Sequence, residues 1–197
     1  MRNANIGRVL VASLHQGIAD LLPSRLGFYE NWLHAEGLRE GTIGVAPLYA
    51  VLSFLREEGG TGGDAYRSIT SRAGAYAAEW TVDAMTDMQR SMLRATPAGL
   101  RSRLVLRLAR RVVRACSRQS VATARLRGST AHVDVHASIF CTVREPMSYP
   151  LCSFYAATFS TLLEQFGVPA DAQVVACRGT GEPSCRLTVR LQNGAAR

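Results

Sequence analysis

Three cysteines in the last third of the chain, Cys152, Cys177 and Cys185, are the residues best suited to chemistry. They lie 25 and 8 residues apart. A Gly-Thr-Gly-Glu-Pro turn joins the last two, so their thiols can approach each other. Cys152 stands at an expected helix start, where the helix dipole favours thiolate. Grouped thiols in a reducing compartment are more often metal ligands than disulfides. Zinc prefers four ligands in a closed site, and the spacing supplies three. The alternative is a set of small buried apolar side chains. A second constellation is His132, Asp134 and His136, which alternate on one face of an expected strand. It is either a metal or acid–base group or the polar outer face of a half-buried strand.

These side chains need elements to hold them, and periodicity supplies those elements. Residues 4–22 read as an amphipathic helix stopped by Pro23, with Arg8, His15 and Asp20 inside its apolar pattern. A second helix is expected over 42–57. The glycine-rich stretch 57–63, from Glu57 to Gly63, reads as a flexible loop and the best site for proteolytic nicking. Asp64 is expected to cap a long helix reaching about Met92. Residues 100–116 form a further helix, with Leu100, Leu104, Leu108, Val112 and Cys116 recurring every fourth position. From Ser120 the period falls to two. Residues 120–126 and 131–140 predict a hairpin around Arg127-Gly128-Ser129-Thr130. Ser153 is expected to cap a helix over 154–166, stopped by Gly167. Strands are expected over 174–177 and 186–191. The layout is one α+β domain over 1–197. Its helical half (1–116) packs on a small twisted antiparallel sheet (118–191) with one inserted helix at 153–166.

From Val135 to Leu191 the chain resembles the 4-vinyl reductase domain family. The likeness rests on Cys-Ser-Phe-Tyr-Ala from Cys152 and on Cys177-Arg178-Gly179-Thr180-Gly181-Glu182-Pro183-Ser184-Cys185-Arg186. The latter is similar to the family's closing motif, with Leu187 where the family has Phe. The resemblance implies the fold of TRAPP-like transport subunits and nitric-oxide-sensing relatives, often dimeric through its helices. It implies a role in holding a small hydrophobic ligand. Phenol-sensing members carry a structural zinc on three cysteines and a glutamate. The cysteines carry over onto Cys152, Cys177 and Cys185, whereas Val174 stands where the glutamate falls. Cys141, Glu182 or water would then complete the shell.

Two functions follow. One is a non-catalytic carrier or sensor module for an aromatic or tetrapyrrole-like ligand. Phe28, Trp32, Tyr49, Phe54, Tyr76, Trp80, Phe140, Tyr155 and Phe159 are the candidate pocket residues. The other is an enzyme or accessory subunit in bacteriochlorophyll biosynthesis, acting in 4-vinyl reduction. The sequence has neither a dinucleotide fingerprint nor iron–sulfur spacing, so no nucleotide cofactor is expected.

The charge is unevenly placed. The 197 residues hold 23 arginines and no lysine, for a net +8. Residues 88–133 contribute 11 arginines and no acid. An acidic protein partner fits that segment, or its arginines simply face water, and nucleic acid is the least favoured partner. No apolar run is long enough to span a bilayer, and a cytoplasmic location is expected. A homodimer is expected through residues 1–92, away from Arg101, Arg103, Arg107, Arg110, Arg111 and Arg114. Joining two strongly basic segments would cost Coulomb energy.

Overall fold

The computed structural model describes residues 6–33, 44–58 and 63–192. Residues 59–62 of the expected nicking site and the start of the second helix at 42–43 lie outside the described residues. The helical half comprises α1 (Arg8–Leu21), α2 (Leu26–Glu30), α3 (Val45–Glu57), α4 (Asp64–Asp83), α5 (Asp87–Ala95) and α6 (Ala98–Cys116). The second half holds β1 (Val121–Arg127), β2 (Thr130–His136), α7 (Ser153–Gln165), β3 (Ala170–Ala176) and β4 (Cys185–Leu191). The fold is α+β, with a helical N-terminal half and an antiparallel sheet, as expected.

The four strands are ordered β1-β2-β4-β3, each antiparallel to its neighbour. One face is apolar: Ala131, Val133 and Val135 of β2 and Cys185, Leu187 and Val189 of β4 are buried. This face packs on the helices, chiefly α6 and α7. His132 and His136 lie on the opposite, exposed face, and Asp134 pairs across from Arg186. That is the polar outer side of a half-covered antiparallel sheet.

The helices pack through small residues. At Gly74 of α4, an added methyl would meet the carbonyl oxygen of Phe154 in α7 at 2.2 Å. Thr158 Oγ1 donates to the Gly74 carbonyl at 3.1 Å, across 84 residues of chain. On the other side of α4, α1 buries Leu10, Leu14 and Ile18. The Gly7 amide donates to the Cys116 carbonyl (2.9 Å), and Ile6 bridges Ser117.

Five expectations are corrected. The helix from Asp64 ends at Asp83, and α5 begins after Thr86. Thr86 and Gln89 form a capping box: the Gln89 amide donates to Thr86 Oγ1 (3.2 Å), and the Thr86 amide donates to Gln89 Oε1 (3.1 Å). Asp64 is the first helical residue of α4, and Gly63 with φ +65° precedes it as the cap. Ser153 likewise lies inside α7, where its hydroxyl meets Thr70 Oγ1 at 2.6 Å. The hairpin's second strand stops at His136, because Ala137 turns the chain at φ +50°. Finally, the buried face of α6 is Val105, Leu106, Ala109, Val112, Val113 and Cys116, while Leu100 is exposed. A row of every fourth residue drifts by about 40° per step on a helix of 3.6 residues per turn, so Leu100 and Cys116 cannot share one face.

No residue of α5 is buried, so its cap carries much of its order. Thr86→Ala should cost about 1 kcal/mol locally. Amide exchange should quicken along 87–95 while the melting temperature moves by roughly 4 °C at most. Unchanged exchange there would show that the capping box is dispensable.

Candidate metal centre

Each thiol arrives on a different device. Cys152 caps the start of α7. Cys177 follows β3 and opens a 3-10 turn, Arg178–Thr180, whose other side leads to Cys185 at the head of β4. The turn is held by the Thr180 amide and hydroxyl, which donate to the Cys177 carbonyl at 3.0 and 2.8 Å. Gly179 sits at its crest, where an added methyl would meet Leu151 Cδ1 at 2.6 Å and Cys177 Sγ at 3.4 Å. Glycine is the residue that lets this turn fold against the cysteine loop. Cys141 ends a second 3-10 turn, Ile139–Cys141, which follows the bend at Ala137.

The four thiols converge. Cys141 Sγ lies 3.1 Å from Cys152 Sγ, 3.3 Å from Cys177 Sγ and 3.4 Å from Cys185 Sγ. Cys152 and Cys177 are 3.7 Å apart, and all four sulfurs lie within 4.8 Å of one another. None is in a disulfide. Among the described residues this is the only group of three or more His, Cys, Asp or Glu side chains in position to hold one metal ion. Tetrahedral zinc with bonds near 2.3 Å sets its sulfurs about 3.8 Å apart, inside the observed spread. The residues therefore fit the group.

The surroundings favour thiolate at Cys177 and Cys185 and disfavour it at Cys141 and Cys152. The Leu151 amide donates to Cys177 Sγ (3.3 Å), and the Arg178 amide donates to Cys185 Sγ (3.4 Å). Hydrogen bonds from Cys141 and then Cys152 hold both Cys177 and Cys185 below the ordinary thiol range. Cys152 is pushed the other way, first by its contact with Cys141. Cys116 makes the contrast: it is buried apart from the group, and burial alone pushes it up to about 12. Arg56 donates to the carbonyl of Phe140, next to Cys141, at 3.1 Å.

Of the three possible completions of the shell, the structure brings in Cys141. Glu182 is exposed and its amide donates to the Cys177 carbonyl, while Val174 lies half-buried in β3. Sequence spacing could not choose among them, because the bend at Ala137 that delivers Cys141 carries no glycine or proline to announce it. Arg56 and Ser138, the latter 3.8 Å from Cys152 Sγ, were likewise not singled out from the sequence.

The nine aromatic candidates fall into separate groups. Phe28, Trp32 and Phe54 cluster beside α2. Tyr76 and Trp80 stack on α4, with the Tyr76 hydroxyl donating to Asp20. Phe140 packs on Phe154 and edge-on to Tyr155, and both Phe140 and Tyr155 are fully buried with Phe159. Tyr49 lines an open, mainly polar cleft of about 320 Å³ with Val45, Ser117, Gln119, Ala137, Ser138, Ile139, Cys141, Thr142, Val143 and Arg178. The Tyr155 hydroxyl is buried without a hydrogen-bond partner among the described residues, and Ser138 and Ser120 are its polar neighbours.

Fold and site together define an α+β fold built over a four-cysteine group, three of its members buried and Cys141 half-buried. No family model and no curated protein matches the chain. Solved structures do share the fold. An H-NOX protein from S. oneidensis in the Fe(II)NO ligation state aligns at TM-score 0.53 and 12% identity, over 95% of this chain and 100% of that one. The H-NOX domain from Shewanella oneidensis in the Fe(II)CO state aligns at 0.50 and 12%, over 95% and 99%. The phenol-responsive sensory domain of the transcription activator PoxR, with phenol, aligns at 0.49 and 14%, over 77% and 76%. At such identities the H-NOX likeness establishes a shared fold. No helix among the described residues is long and apolar enough to cross a membrane.

Proposed function

We propose that the protein is a non-catalytic binding or sensor module for a small hydrophobic molecule, built around a structural zinc on Cys141, Cys152, Cys177 and Cys185. The observation that carries this reading is the closed set of four sulfurs. A catalytic zinc keeps one position open for water or substrate, whereas four thiolates fill the shell. Bound there, the metal would fasten the start of α7 to the β3–β4 turn. The segment Ser138–Cys141 supplies one metal ligand and also lines the 320 Å³ cleft, so ligand and metal would share a wall. Tyr49, Ile139 and Val143 would meet the ligand's apolar part, and Gln119, Thr142 and Arg178 a polar group on it. The resemblance around Cys152 and Cys177–Arg186 to 4-vinyl reductase domains supports the same reading. A homodimer through the N-terminal helices is in keeping with exposed Leu21, Phe28 and Trp32.

Native mass spectrometry of the freshly purified protein tests these points together. One zinc per chain, a retained apolar small molecule and a dimer mass are expected. 1-Naphthol, used as a probe, should bind the protein and bind Tyr49→Ala and Val143→Ala more weakly; equal binding by both variants would place the ligand outside this cleft. Reduction of a divinyl chlorophyllide by the protein with a reductant and no partner chain would overturn the proposal in favour of the enzyme reading.

A further inference from the structure

The basic excess of the chain gathers along one groove between α6 and β1. Two open hollows, of 220 and 300 Å³, adjoin at Arg107 and Arg110, which line both. Arg103, Arg107, Arg111 and Arg114 of α6 rim the groove, and Ala122, Ala124 and Leu126 of β1 form its other side. None of the ion pairs among the described residues involves α6 or β1. Residues 88–133 contain no acid that could pair with them locally.

The strand in this groove has an open edge. β1 is the outermost strand on its side of the sheet. Its two-residue turn, Gly128-Ser129, closes on the pair Arg127–Thr130. In such a hairpin that pair is hydrogen-bonded, and bonded pairs then alternate along the ladder. Ala122, Ala124 and Leu126 therefore turn their N–H and C=O groups away from β2. The Ala122 carbonyl agrees with this direction, because Arg110 Nε donates to it at 2.8 Å. The pleat sends Arg125 and Arg127 to the face opposite Leu126, and both are exposed. An extended chain laid along β1 would thus have guanidinium groups on both sides and, at Ala124 and Leu126, edge main-chain groups with no partner among the described residues.

We infer that this groove binds an extended, acidic segment of a partner protein, which adds to the sheet beside β1. Charge selects this occupant. Positive charge on an edge strand repels a second copy of the same edge and attracts a chain of opposite sign. A nucleic acid would engage the arginines but leave the edge amides unused, whereas strand addition engages both.

The test uses the full chain and a fluorescein-labelled ten-residue peptide alternating glutamate with valine. It should bind at least about tenfold more tightly than its lysine counterpart, and binding should weaken with salt. Amide exchange at Ala124 and Leu126 should slow on saturation. The double variant R103E/R107E, which keeps Arg110 in place, should lose about tenfold or more in affinity at an unchanged melting temperature. Binding with unchanged exchange at Ala124 and Leu126 would overturn strand addition. Equal binding of the acidic and basic peptides would overturn the charge argument. Tighter binding of a single-stranded oligonucleotide or of phosphatidylglycerol vesicles would assign the groove to another class of partner and overturn the inference.

Discussion

Cys177→Ser is expected to strip the proposed zinc from the purified protein and to lower its melting temperature by roughly 6–20 °C. The loss follows from what the ligand joins. Cys177 accepts the Leu151 amide and opens the turn that leads to Cys185, so its sulfur ties the cysteine loop to the β3–β4 connection. Metal affinity of a structural zinc is folding free energy, and removal of one ligand leaves the other three thiols buried without their counter-ion. For a chain with a sizeable apolar core this should amount to on the order of 3–5 kcal/mol. At about 2–4 °C per kcal/mol for a domain of this size, that is the stated shift. Cys141→Ser should act in the same direction. Cys116→Ser is the control: it alters a buried thiol outside the group and should leave the zinc content at one per chain. Full zinc occupancy in Cys177→Ser, measured by atomic absorption, would remove that residue from the shell.

Gly74→Ala is expected to destabilise the protein by roughly 3 kcal/mol, a large effect for a single methyl. In an exposed helix the same change would be stabilising, because glycine is the poorer helix former. Here the methyl would stand 2.2 Å from the Phe154 carbonyl oxygen and 3.1 Å from Ala157 Cβ, with no flexible side chain to yield. α4 and α7 would have to separate, and Thr158 would lose its bond to the Gly74 carbonyl. Chemical denaturation should report a lower midpoint with an unchanged slope. Equal stability of Gly74→Ala would show that the two helices can shift apart without cost.

The class of the fold was legible because both periods are strong. The change near Ser120 from apolar spacing of three and four to alternation marks the boundary between α6 and β1. What stayed hidden depends on single residues. Thr86 and Gln89 lie inside a polar stretch that reads equally well as continuous helix, and only the reciprocal hydrogen bonds of the cap divide it. Ala137 takes a left-handed conformation usually left to glycine, so the end of β2 could not be placed. That uncertainty reached the site, since the position of Cys141 depends on that bend. Cys152, Cys177 and Cys185 were easier, because a helix start, a strand end and a strand start can be located from local pattern. The aromatic residues were the least informative. Their types are the same whether they line a cavity, stack on a surface as Tyr76 and Trp80 do, or fill the core as Phe159 does.

The contact of α4 with α7 also sets an order of events during synthesis. The surface of α4 around Gly74 is completed by Phe154 and Thr158, and Thr158 lies 84 residues later in the chain. At about 5–20 residues per second, that stretch takes roughly 4–17 s to emerge. Throughout that interval α1 can already pack on one side of α4, but the side that meets α7 has no native neighbour. Early folding on the ribosome would be restricted to fluctuating helical hairpins, and native packing would follow only once α7 is free. The nascent chain is thus a client for a holding chaperone over those seconds, and the stretch between α4 and α7 is where slower translation would prolong its exposure.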